Sequence, residues 1–179
     1  LFGGKLPSPE SSTLHKLSDL VKEESYDMGI ATDGDADRIG IIDENGRFIH
    51  PNLLLALIYE YLLVEKGWKG PAVRNLSTTH LLDRIAEKHG QIAIETPVGF
   101  KHITENMENH NAIIGGESSG GLTISGHIKG KDGIFAAMLL VEMVSVTGKR
   151  IGQLVNDLYK EYGSLYNEER DYSFTQEKK

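Results

Sequence analysis

From Asn52 to Gly163 the chain alternates short apolar runs with stretches of helical period, and this alternation limits the fold more than any other feature. Strands separated by helices pair in parallel, and the helices cover the faces of the sheet. "NLLLALIYEYLLVEKG" reads as an apolar helix started by Pro51 and stopped by Gly67. "GPAVRNL", "QIAIETP" and "NAIIGGE" read as strands. Between and after them, "STTHLLDRIAEKHG", "GFKHITENMENH", "KDGIFAAMLLVEMVSVTGK" and "RIGQLVNDLYKEYG" read as helices. The expected fold is α/β: a three-layer domain with a mixed, largely parallel sheet between helices. Ahead of it, "SSTLHKLSDLVKEE" reads as a helix with serines as candidate caps. "DMGIAT" reads as a buried strand, and "RIGIID", "ENG" and "RFIH" as a hairpin. These make a partial second α/β unit at the N-terminus. The divisions are therefore 1–50, 51–163 and a polar tail, 164–179, that loses all period.

Of the 179 residues, 39% are hydrophobic and 25% charged, enough for a real core. A net charge of -7 disfavours a nucleic-acid partner. With no cysteine, the chain has neither disulfides nor a thiolate metal site. No apolar run is long enough to cross a bilayer, and "LFGGKLPSPE" lacks a secretory pattern. A soluble cytoplasmic protein is the expectation. The chain opens without Met in an apolar, glycine-containing stretch and reads as a piece of a longer polypeptide.

The segment "ATDGDADRIG" sets Asp33, Asp35 and Asp37 at alternate positions. Carboxylates are the hard oxygen ligands that Mg²⁺ or Ca²⁺ prefers. Gly34 permits a tight path and Ala36 adds no bulk, so the three can converge on one ion. The competing reading is a solvated acidic turn. The flanking apolar strands favour a site, since ligands in α/β folds gather at strand carboxyl ends. An EF-hand is excluded: Arg38 stands where its loop needs glycine, and the flanks are strands. A haloacid-dehalogenase loop is disfavoured because Asp37 stands where it wants Thr or Val. Arg38 either compensates charge or offers its fork to a phosphate beside the ion.

The second candidate is "GGESSGGLTISGHIKGKDG", residues 115–133. Its glycines let Glu117, Ser118 and Ser119 approach a ligand, and Glu with Ser suits vicinal hydroxyls. A generic strand–helix connection or a phosphate nest is the alternative. Lys129 and Lys131 follow, and Asp132 reads as a cap for the next helix. In "TPVGFK", Gly99 and Lys101 stand at a helix start that could meet an anion, or form an ordinary turn. Arg74 ends a strand, usually just a surface charge but here facing the region where such folds bind ligands. The seven histidines show no zinc spacing, and only His127 lies near the Glu117 loop. "GESSG" misses the nucleophile-elbow spacing.

Taken in order, these segments resemble the alpha-D-phosphohexomutases, the phosphoglucomutase and phosphomannomutase superfamily. "ATDGDADRIG" is similar to that family's metal loop, and "TPVGFKHI", "GGESSGG" and "HIKGKDGI" to its substrate loops. "LPSPE" resembles a segment upstream of the metal loop. The resemblance covers nearly the whole chain. It implies the end of the family's second domain in 1–50, its third domain in 51–163, and a linker toward an absent fourth domain in 164–179. It implies isomerisation of a hexose 1-phosphate and 6-phosphate through a bisphosphate, with glucose 1,6-bisphosphate as activator and a phosphoserine as donor. Asp33, Asp35 and Asp37 would hold one Mg²⁺, with Arg38 and Lys131 in the catalytic roles. Gly99, Phe100, Lys101, Glu117, Ser119 and Arg74 would bind substrate.

Departures bear on the sugar: Ser118 replaces a frequent acid, Val98 a frequent Thr, and Gly130 a frequent acid. No "TASHNP"-like phosphoserine loop and no "SGTEP"-like phosphate loop occurs. The expectation is an inactive fragment whose partners are a hexose phosphate and the missing domains of the same polypeptide. A non-catalytic sugar-phosphate or metal-binding module is the alternative.

Overall fold

The computed structural model describes residues 2–4, 6–166 and 168. Helix α1 (His15–Glu23) leads into strand β1 (Met28–Thr32). No serine caps it: Leu14 occupies the cap without a side-chain bond. β1 pairs antiparallel with β2 (Ile39–Asp43), which pairs antiparallel with β3 (Phe48–Ile49). The turn before β3 is closed by Asp43, whose Oδ1 accepts from the backbone N–H groups of Asn45 (2.9 Å) and Arg47 (2.7 Å). The aspartate segment is thus the link between two antiparallel strands.

Helix α2 (Pro51–Val64) begins at the predicted proline, and the His50 ring accepts the Asn52 N–H at its start (3.2 Å). The rest runs β4 (Ala72–Asn75), α3 (Leu81–Lys88), β5 (Ala93–Thr96), α4 (Phe100–His110), β6 (Ile114–Gly116), β7 (Leu122–Ile124), α5 (Gly133–Thr147) and α6 (Ile151–Tyr162). The sheet order is β5-β4-β6-β7. β4 lies parallel to β5 and β6, and β7 returns antiparallel to β6. The mixed, largely parallel sheet between helices is the expected α/β fold. Periodicity predicts three strands here; the fourth, β7, has three residues in a glycine-rich setting, too short to show a period.

α2 is apolar on nearly every side, and an all-apolar helix belongs in a core. It touches β2 of one sheet and β6 of the other. Its Leu54, Leu55, Ile58 and Leu62 join one buried cluster with Ile39, Ile41 and Ile49 from the first sheet and Ile114, Leu122 and Leu140 from the second unit. α5 likewise packs on β1, β2 and β7. The two units therefore share a core. A smaller cluster, Val73, Ile103, Met107 and Ala112, lies under α4. Of the 164–179 tail, residues 164–166 and 168 are described; the remainder of that expected linker lies outside the described residues. No helix among the described residues is long and apolar enough to cross a membrane.

Candidate functional site

Asp33, Asp35 and Asp37 converge: one carboxylate oxygen from each lies within 4.8 Å of the others. The left-handed residue that curls the loop is Ala36 (φ 60°), not the glycine at 34. A non-glycine residue there is strained and persists only where its surroundings hold it. Here they do, for the Ala36 carbonyl accepts the N–H of Gly133 at the start of α5 (2.9 Å). Asp33, only 7% exposed, ties the loop's base. Its Oδ1 accepts the Arg38 backbone N–H (3.1 Å) and its Oδ2 the Arg38 Nε–H (2.6 Å). Burial alone would raise the Asp33 carboxyl, but the Arg38 hydrogen bonds outweigh it and hold it below its ordinary value.

Glu117 follows β6, at the carboxyl edge of the parallel strands where this class of sheet places its ligands. Three strand ends meet at its carboxylate. Oε1 accepts from Asn75 Nδ2 at the end of β4 (3.4 Å) and from the Gly99 N–H after β5 (3.3 Å). Oε2 lies 3.9 Å from Lys131 Nζ. Ser119, two residues beyond Glu117, and Lys101, in the first turn of α4, are exposed.

Lys131 joins the two loops. Its Nζ is 3.1 Å from Asp37 Oδ2 and sits 5.6 Å from the centre of the Phe100 ring. Asp132 caps α5 through the Phe135 N–H (2.8 Å) and binds His127 Nε2 (2.8 Å). The Phe135 hydrogen bond, then that of His127, hold the Asp132 carboxyl below its ordinary value. His127 stacks on Phe135, 3.9 Å between ring centres, and so supports the helix start. Lys129 pairs with Glu108.

Backbone contacts also weld the loops. Ile39 N–H donates to the Gly120 carbonyl (3.3 Å), and Arg38 bridges Gly121. Gly133 has no substitute here, since a Cβ would lie 2.8 Å from the Arg38 carbonyl and 2.9 Å from that of Ala36.

The structure gathers Asp33, Asp35, Asp37, Arg38, Lys131, Glu117, Gly99 and Phe100. It does not bring in Arg74. That guanidinium, on a side chain 3% exposed, is held by Asp83 through Nε (2.8 Å) and Nη2 (3.0 Å), by Glu95 through Nη1 (2.8 Å), and lies 2.9 Å from His80 Nδ1. Adjacent strand residues face opposite sides, so Asn75 reaches Glu117 while Arg74 does not. Periodicity overlooks Asn75; the available signal is an Asn ending a strand just before Ser and Thr, a turn-forming pattern.

Residues 50–162 match the family model described as phosphoglucomutase/phosphomannomutase, alpha/beta/alpha domain III, and residues 1–46 match that of domain II. A phosphoglucomutase/phosphomannomutase of Thermococcus kodakarensis is 36% identical over 161 residues, covering 90% of this chain and 35% of that protein. A probable phosphoglucosamine mutase of Pyrococcus horikoshii is 38% identical over 152 residues, covering 85% of this chain and 33% of that one. A crystal structure from Thermus thermophilus, assigned as a phosphomannomutase, superposes with a TM-score of 0.87 at 37% identity, covering 91% of this chain and 37% of that chain. The chain spans about a third of the length of the curated relatives it matches.

Proposed function

The chain belongs to the phosphoglucomutase/phosphomannomutase family, and we propose that it supplies the metal and sugar loops of an enzyme interconverting hexose 1-phosphate and hexose 6-phosphate. The observation that carries this reading is Lys131 Nζ standing between Asp37 Oδ2 (3.1 Å) and Glu117 Oε2 (3.9 Å). A metal loop and a hydroxyl-binding loop thereby share one cation.

Three carboxylate oxygens within 4.8 Å of one another fit a hard divalent ion, so Asp33, Asp35 and Asp37 would hold Mg²⁺. When bound, it supplies positive charge beside the phosphate as the phosphorus–oxygen bond breaks. Arg38 commits Nε to Asp33 and lies near Asp37, and its two terminal nitrogens make no hydrogen bond among the described residues. They are free for a phosphate oxygen. Glu117 keeps Oε2 for a sugar hydroxyl, and Ser119 gives or takes a second hydrogen bond. Gly99, Phe100 and Lys101 border the same space. Two equatorial hydroxyls present the same pattern after the sugar turns over, so one loop can serve both phosphate positions through a bisphosphate such as glucose 1,6-bisphosphate. Lys131 Nζ is placed to exchange a proton with the reacting hydroxyl. Arg74 belongs instead to the scaffold.

Residues 1–50 form the end of the second domain, 51–163 the third, and 164–179 the connection to a fourth, in a cytoplasmic enzyme. The missing domains of the same polypeptide carry the phosphoserine and the phosphate loop, so the isolated chain is inactive. A coupled assay with glucose 1-phosphate and glucose 1,6-bisphosphate tests this. The full-length polypeptide should turn over and residues 1–179 should not. Turnover by the isolated chain overturns the inactivity, and a full-length protein that converts no hexose phosphate overturns the function.

A further inference from the structure

We propose that Asn75 is a positioning residue that fixes which oxygen of Glu117 meets the substrate; this rests on reading the Glu117 loop as the sugar loop. Asn75 is 2% exposed, at the last position of β4. Its Oδ1 accepts from the Ser77 backbone N–H (3.2 Å), the Ser77 hydroxyl (2.9 Å) and the Thr78 hydroxyl (2.6 Å). A backbone N–H can only donate, so the amide orientation is settled: the oxygen faces the turn and the NH₂ group faces Glu117. Nδ2 then donates to Glu117 Oε1, the oxygen that also takes the Gly99 N–H.

Two donors on one oxygen make the two ends of the carboxylate unequal. Free to rotate, Glu117 could present either oxygen to a ligand; held at Oε1, it presents Oε2, on the side of Lys131. The same turn carries Ser77, whose hydroxyl lies 3.3 Å from that of Ser118 in the sugar loop. The turn after β4 thus braces the loop after β6 at two points, one buried and one exposed. Both bonds to Oε1 are long, as such contacts often are before a ligand tightens them.

The test separates the two ends of the amide. Asn75→Asp keeps an acceptor for Ser77 and Thr78 but replaces the donor facing Glu117 with a carboxylate oxygen. In the full-length polypeptide, N75D should lower kcat/KM for the hexose phosphate by about 10- to 100-fold, the range for losing a hydrogen bond to a charged group. Adding Glu117→Gln restores a side-chain pair with its direction reversed, the glutamine NH₂ donating to the introduced carboxylate at the expense of the Gly99 contact. N75D should therefore change kcat/KM by a smaller factor in the E117Q background than in the wild type, and the double variant should unfold at a higher temperature than N75D. If N75D costs the same factor in both backgrounds, Asn75 does not act through Glu117 and the proposal is overturned.

A second measurement needs no turnover. In ¹H–¹⁵N spectra of the same protein, Glu117→Ala should shift the Asn75 side-chain NH₂ pair and the Gly99 amide together. Unmoved resonances overturn the positioning. A protein that shows those shifts on Glu117→Ala, but whose wild type converts no hexose phosphate, keeps the positioning and overturns the sugar reading.

Discussion

On the proposed function, with Lys131 in its catalytic role, Gly121→Ala should silence turnover while leaving the fold intact. A Cβ added at Gly121 would lie 2.1 Å from Lys131 Cδ and 2.9 Å from Lys131 Cγ. Carbon atoms rest about 3.5–4.0 Å apart, so the lysine stem must withdraw by roughly 1.5 Å. Its Nζ is 3.1 Å from Asp37 Oδ2, and a retreat of that size carries it out of hydrogen-bonding reach. Misplacing a catalytic group by about 1 Å costs on the order of 100-fold. The backbone at Gly121 is not in the left-handed region, so alanine is tolerated there, and losing the glycine's freedom in the unfolded chain stabilises by about 0.4–1 kcal/mol. Fold stability should thus stay within about 1 kcal/mol of wild type, or about 2–4 °C in Tm for a protein of this size. The assay is kcat/KM of the full-length polypeptide beside the thermal unfolding of the 179-residue chain. Activity retained within about 3-fold would show that the Lys131 position is immaterial. A Tm loss well beyond about 4 °C would show that Gly121 serves the fold rather than the lysine.

Gly120→Ala is the contrasting neighbour: its φ is +97° and a Cβ would lie 2.8 Å from the Ile39 carbonyl, so it should lose about 1–3 kcal/mol in urea unfolding. Arg74→Leu should lower stability by about 1–3 kcal/mol, since it removes three ion-paired nitrogens from a buried side chain, yet leave KM for the hexose phosphate nearly unchanged. A large rise in KM would return Arg74 to the substrate site. Asp132→Asn should cost a few tenths to about 1 kcal/mol at neutral pH, because it removes the negative charge at the α5 N-terminus and weakens the His127 contact. Because the folded Asp132 carboxyl is depressed below 3.8, the unfolded state takes up its proton first as pH falls. Its contribution is complete well above 3.8 and is lost as pH drops through the folded value. The gap between wild type and D132N in ΔG of unfolding should narrow as pH falls below 3.8; a gap independent of pH would refute the assignment.

Much of this arrangement is written in local signals. Pro51 starts α2, Asp132 caps α5, and the alternation of apolar runs gives β4, β5 and β6 with their helices. The contents of the two loops were legible as well, because carboxylates at alternate positions and Glu–Ser between glycines are chemical patterns. What the sequence hides is what depends on a partner far along the chain. Arg74 looks like a strand-end cation at a ligand cleft until Asp83 and Glu95 close around it. Asn75 looks like a turn residue until Glu117, 42 positions later, lies against its amide. Ala36 gives no sign of a left-handed backbone, because the restraint on it is the Gly133 N–H, nearly a hundred positions away.

The shared core explains why the loops can act together. An aspartate loop on one unit and a Glu117 loop on another would ordinarily drift, since interfaces between domains are polar and allow motion. Here α2 and α5 are apolar on faces that a single sheet could not cover, and each is packed by strands of both sheets. The aspartate loop is then pinned at α5 through Gly133 and at the Glu117 loop through Gly120 and Gly121. The distance from Asp37 to Glu117 is accordingly a property of packing, and Lys131 spans a gap that the core holds constant. On the proposed function, any opening and closing would come from parts of the polypeptide outside this unit, moving against it as one body. Hydrogen exchange bears on this directly: the amides of Ile39 and Gly133, which make the contacts between the loops, should be as protected as those in the middle of α2. Protection lower by several kcal/mol would place a hinge inside the unit instead.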